Sequence, residues 1–104
     1  MAFTVVVEHI DGTVLVCPVG ELDLATAPIL ERVLETLVAD PPAIELDLSG
    51  ITFVDCAGLR LIREALHRAS PSSTRVRVSG ARPTVRRVLE LTGLDVASAP
   101  VDSP

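Results

Sequence analysis

A chain of 104 residues with 48% apolar side chains holds one small core, too short for two. Aromatic residues are 2%, with neither Trp nor Tyr, which removes the stacking platforms that single-stranded nucleic acid needs. The net charge of −5 opposes phosphate-backbone binding in general, so no nucleic-acid partner is expected.

In chain order, "FTVVVEHI" (Phe3 to Ile10) is rich in β-branched residues. Asp11-Gly12 follows, and then "TVLVCPV" (Thr13 to Val19). Two such runs around Asp-Gly predict a β-hairpin. Pro18 is expected at a strand end or sheet edge, where a missing N–H is tolerated. After "GELDLATAP", Leu30, Val33, Leu34, Leu37 and Val38 fall at helical spacing. Thr26 suits the N-cap and Pro28 the first turn. "DPP" (Asp40 to Pro42) stops that helix.

"AIELDLSG" (Ala43 to Gly50) alternates as a strand, with Ile44, Leu46 and Leu48 facing one way. The apolar run Ile51 to Val54 ends in Asp55, a suitable N-cap for the helix opening at Cys56. Leu59, Ile62, Leu66 and Ala69 form its apolar stripe. Arg60, Arg63, Glu64 and His67 form its wet side. "SPSS" is a loop, and "TRVRVSG" (Thr74 to Gly80) alternates again. "RPTVRRVLELTG" predicts a short helix with Val85, Val88 and Leu89 inward and Gly93 as its left-handed C-terminal residue. Leu94 and Val96 leave room for a last short strand. The tail 100–104 is expected to fray, so the domain is placed at 1–99.

The order β-β-α-β-α-β-α predicts an α/β fold: a single mixed sheet with helices on one face. Loops that follow parallel strands share one rim of such a sheet. "GELD", with Glu21 and Asp23, and "VDCAGL", with Asp55 to Leu59, therefore become neighbours. No apolar run approaches the roughly 20 residues of a spanning helix, and the start has no basic n-region. Cys17 and Cys56 lie far apart and form neither a metal-ligand spacing nor a CxxC. A cytoplasmic protein without metal or cofactor is the simple reading, and a Cys17–Cys56 bridge is not expected.

Cys56 at a helix start invites an enzymatic reading. A phosphatase loop needs an arginine six positions on, where this chain has Ile62, and neither His9 nor His67 is placed as a base. Read alone, "DCAG" is a capped helix start with small residues for close packing.

"VGELDLATAP", "IELDLSGITFVDCAGLRLI" and "PTVRRVLELTGL" together resemble, in order and spacing, the signature blocks of the STAS domain family, in particular the bacterial anti-sigma factor antagonists. The resemblance spans Val14 to Leu94. It implies a mixed sheet with helices on one face, and binding rather than catalysis. The implied partner is an anti-sigma factor, a serine kinase of the histidine-kinase-like ATPase fold, whose sigma factor is then freed. The implied docking surface is Glu21, Asp23, Asp55, Cys56, Ala57, Gly58 and Leu59. Gly58 is expected to matter because a side chain there would hold the partner off. The family's phosphoacceptor is a serine or threonine directly after the aspartate. Here that position holds Cys56, followed by Ala57, and neither accepts phosphate from a serine kinase. The helix start favours a reactive thiol and the adjacent Asp55 opposes it, so an inert, serine-sized residue is expected over a redox switch. The alternative reading is a STAS subunit of an ABC-type lipid transport assembly, where no phosphorylation is needed. Oligomeric state is not legible.

Overall fold

The computed structural model describes residues 2–38, 43–68 and 75–93. Strand β1 (Thr4–Ile10) turns at Asp11-Gly12 into β2 (Thr13–Leu22). Both turn residues have positive φ, 47° and 81°, the two-residue turn whose twist suits an antiparallel hairpin. Ile10 faces Thr13, and pairing runs on to Thr4 opposite Val19. The chain continues through α1 (Ala27–Val38), β3 (Ala43–Asp47), β4 (Ile51–Val54), α2 (Cys56–Arg68), β5 (Arg75–Ser79) and α3 (Pro83–Leu91).

The sheet order is β1-β2-β3-β5, with β4 also beside β2. Only the β1–β2 pair is antiparallel; β2–β3, β2–β4 and β3–β5 are parallel. The mixed sheet follows the expectation, but the single strand expected at Ala43 to Gly50 does not. It ends at Asp47, and a separate strand starts at Ile51. The Asp47 carboxylate accepts from Ser49 N at 2.9 Å, and Ile51 N donates to Leu48 O at 3.0 Å. A side chain that offers the backbone a local partner competes with the ladder.

The step from β3 to β4 also relocates Pro18. It is not at a strand end or an edge: β2 is central, and Pro18 is fully buried within it. On its parallel side, β2 pairs with β3 up to Val16 and with β4 from Gly20. Pro18 sits in that gap, so on this side its missing N–H forfeits no ladder bond.

Alternation decides which face is covered. Val14, Val16, Ile44, Leu46 and Val78 are buried, while Leu15, Cys17, Glu45 and Asp47 between them are only half-buried. The buried set joins Leu30 and Leu34 of α1, Ile62 and Ala65 of α2, and Val85 and Leu89 of α3 in one cluster. Val33, Leu37, Leu66 and Val88 pack at its margin. Each helix thus spends its apolar stripe on the same face. Gly93 ends α3 at φ 84°, as expected, with its N–H donating to Glu90 O. The last strand from Leu94 or Val96, the 99/100 boundary and Ala69 lie outside the described residues.

Candidate functional site

The rim is set by register. Leu22 ends β2, Val54 ends β4, and the two are paired in parallel. Asp23 and Asp55 follow them directly, and Asp55 N donates to Leu22 O at 3.1 Å. "GELD" and "VDCAG" are therefore neighbours, as the strand order predicts.

Asp55 joins the two loops. Its Oδ1 accepts from Gly58 N at 3.0 Å, the expected N-cap of α2. Its Oδ2 accepts from Leu24 N at 3.2 Å, across 31 residues of sequence. One carboxylate therefore starts the helix and holds the crest of the neighbouring loop. Asp23 works locally: its Oδ1 accepts from Ala25 N and Thr26 N, each at 3.0 Å. Thr26 occupies the N-cap position, but its hydroxyl turns back toward the loop. It lies 2.7 Å from Glu21 O, as donor, and accepts from Asp23 N at 2.9 Å. The α1 entry is thus an Asp23–Thr26 turn, and the expected forward cap by the Thr26 side chain is not what forms.

These bonds hold Leu24 out. Its side chain is 77% exposed, on a backbone fixed by Asp55 from one side and by the Asp23 turn from the other. Leu24 belongs to two shallow cavities. One, of about 350 Å³, is lined by Leu24, Asp55, Cys56, Ala57 and Arg60. The other, of about 250 Å³, runs between α1 and α2 past Ala27, Pro28 and Glu31. Leu24, Ala57 and Arg60 belong to both, so the two form one groove along the helix starts.

Of the residues expected to meet a partner, Glu21 and Cys56 are exposed, and Asp23, Asp55 and Ala57 are half-buried. Gly58 and Leu59 point inward. Leu59 is core, 8% exposed. A Cβ on Gly58 would stand 2.7 Å from Leu22 O and 3.1 Å from Val54 Cγ1, so it would meet the sheet and leave a partner untouched. The reason given for Gly58 from sequence is therefore replaced: it lets α2 close on β2 and β4. Leu24 and Arg60 were not singled out from sequence. A large apolar residue inside an otherwise small and polar turn was the available signal for Leu24; Arg60 read simply as one of several solvated arginines.

The two cysteines are free and differently placed. Cys17 lies on the sheet face away from the described helices, its Sγ 4.0 Å from Asp47 Oδ2. Burial, then the carboxylates of Asp47, Glu8 and Glu45, push its thiol pKa up. Cys56 is exposed. Iodoacetamide at neutral pH should therefore modify Cys56 first, with Cys17 following only as the pH is raised and its thiolate forms. Peptide-mapped labelling at two pH values checks this. Equal rates at neutral pH would contradict it.

Among the described residues no group of His, Cys, Asp and Glu is arranged to hold a metal ion, and no helix is long and apolar enough to cross a membrane. The fold and rim define a small mixed-sheet domain of the kind that presents a loop–helix junction at the ends of parallel strands. The chain belongs to the STAS domain family, which matches residues 4–101.

Its relatives include the anti-sigma-F factor antagonist RsfB of Mycobacterium tuberculosis, 33% identical over 95 residues, spanning 90% of this chain and 77% of that protein. The anti-sigma-B factor antagonist of Staphylococcus aureus is 32% identical over 76 residues, 72% of this chain and 70% of the relative. Among solved structures, an anti-sigma factor antagonist from Mycobacterium paratuberculosis superposes with a TM-score of 0.84 at 36% identity, covering 99% of this chain and 87% of that one.

Proposed function

We propose that this chain is an anti-sigma factor antagonist, one that docks on a kinase-fold anti-sigma factor and releases its sigma factor without being switched off by phosphorylation at the rim. The observation that carries the reading is the Asp55 clamp. It holds Leu24 exposed beside Cys56, Ala57 and Arg60 over the groove. With its backbone already held, Leu24 gives up mainly side-chain rotamer freedom on binding, which suits an anchor residue. The similarity to proteins named anti-sigma factor antagonists supports the same reading. Partner contacts are assigned to Leu24, Cys56, Ala57 and Arg60, flanked by Glu21 and Asp23; Gly58 and Leu59 keep the rim in place from within.

Cys56 stands at the phosphoacceptor position and Ala57 follows it. With no hydroxyl at either, ATP gives the kinase nothing to modify there. The antagonist is then constitutive. In kinases that do modify such a loop, the added charge of about −1.5 to −2 opposes docking.

The test is a binding titration against the cognate anti-sigma factor, with and without prior incubation with ATP. Wild-type affinity should be unchanged by ATP, and intact mass should show no added phosphate. Cys56→Ser should gain phosphate and lose affinity on incubation. Leu24→Ala should bind at least tenfold more weakly, about 1.4 kcal/mol, with an unchanged melting temperature because the side chain is exposed. Phosphate on Ser49 or Thr52 with loss of binding would overturn the constitutive reading. Recovery of an ABC ATPase in place of an anti-sigma factor would overturn the function.

A further inference from the structure

We infer that β1 is a self-association edge, through which a second copy of this chain pairs antiparallel to extend the sheet. Among the described residues β1 is hydrogen-bonded to β2 alone, so its outer edge presents unpaired backbone N–H and C=O groups. Such an edge selects its occupant by chemistry: only another extended chain satisfies the row. Sheets that stay single blunt their edges with charged side chains, lysine above all, with proline, a bulge or a very short strand. This strand has no lysine, proline or bulge, and Glu8 is its one acid. It is seven residues, "TVVVEHI", paired without interruption. It is also apolar where it is exposed: Val6 is 49% exposed, Val7 36% and Ile10 50%.

The charge pattern chooses a register. Thr4, Val6, Glu8 and Ile10 lie on one face of β1; Val5, Val7 and His9 lie on the other. A two-fold axis at Glu8 would set two carboxylates directly opposite each other. It would do so on the sheet face that, two strands on, also carries Glu45 and Asp47. An axis at Val6 leaves His9 and Ile10 unpaired. An axis at Val7 pairs all seven residues: Val7 meets the second copy's Val7, and Val6 meets the second copy's Glu8. Val5 meets the second copy's His9, and Thr4 the second copy's Ile10. No like charges are opposed, and each exposed valine gains a neighbour.

Because the two β1 strands run antiparallel, the two β2 strands do as well. The two rims then lie at opposite ends of the joined sheet, so the pairing leaves both free. A single strand per copy gives an interface at the small end of the specific range, below about 1,200 Å², the class of weak, transient complexes, so a weak dimer is expected.

Sedimentation equilibrium of the full chain from about 5 to 500 µM should show a mass rising from one toward two chains. Val7→Lys, which sets two ammonium groups on the axis, should weaken association at least tenfold while its circular dichroism stays that of the wild type. As a second arm, Val7→Cys in a chain also carrying Cys17→Ala and Cys56→Ala should form an intermolecular disulfide under mild oxidation. Opposed residues of an antiparallel pair lie about 4.5–5.5 Å apart at Cα, within disulfide reach. Ile29→Cys in the same background, exposed on α1, should stay monomeric. A chain that remains a monomer throughout, a dimer indifferent to Val7→Lys, or no cross-link at position 7 would each overturn the inference. Should Val7→Lys unfold the chain, the cross-link decides.

Discussion

Gly58→Arg is expected to leave no folded protein, and even Gly58→Ala to lower stability by about 1–3 kcal/mol, the range for overpacking a filled site. At an open helix position the sign would be opposite, because alanine is better than glycine in a helix by about 1 kcal/mol. Here the space decides. The added Cβ would lie 2.7 Å from the backbone oxygen of Leu22 and 2.9 Å from its Cγ. Leu22 is fully buried and paired to Val54, so neither atom can give way cheaply. Relief requires lifting the start of α2 from the sheet. That movement also strains the Asp55 bonds to Gly58 N and Leu24 N. Partner binding falls as well, but as a consequence of folding. Urea midpoints for wild type and Gly58→Ala check the first step. An unchanged midpoint with binding lost would restore the surface role that sequence alone suggested.

Gly58 marks where reading from sequence stops. The hairpin was legible because Asp11-Gly12 between β-branched runs has one low-strain turn to adopt. The covered face was legible because Ile44, Leu46 and Leu48 alternate and the helix stripes repeat at three and four. The shared rim was legible because parallel strands put their following loops at one end. Directions set by distant contacts were not. That Gly58 faces Leu22, 36 residues earlier, depends on how far α2 closes on β2. Pro18 looked like a strand terminus because the gap it occupies is made by a turn at Asp47 to Gly50, on a different strand. Thr26 had the right residue type for a cap, yet Pro28 offers no N–H and Ile29 N already donates to Thr26 O, so the hydroxyl turns back to Glu21 O. Leu24 carried little signal because its exposure comes from Asp55, 31 residues away.

Asp55→Asn is expected to separate stability from binding, since the carboxylate accepts two N–H groups with two different oxygens. An amide keeps only one acceptor oxygen; its other end is a donor and repels the N–H it faces. Asparagine is as good an N-cap as aspartate, so the oxygen should stay with Gly58 N and the helix start should survive within about 0.5 kcal/mol. The NH₂ then faces Leu24 N, and the crest loop is released. Partner affinity should fall at least tenfold with little change in the urea midpoint. Asp55→Ala should lose both, with about 1 kcal/mol of capping energy added to the binding loss. Removal of a charge from the rim would also weaken binding, and a double-mutant cycle with Leu24→Ala tells the two apart. If Asp55 acts by holding Leu24, Asp55→Asn should cost little further affinity once Leu24 is alanine, leaving a coupling of about 0.5–3 kcal/mol between the two. If it acts through its charge on the partner, the two losses add. Full additivity would remove the clamp from the account of binding and leave Asp55 with its helix cap and its charge toward the partner.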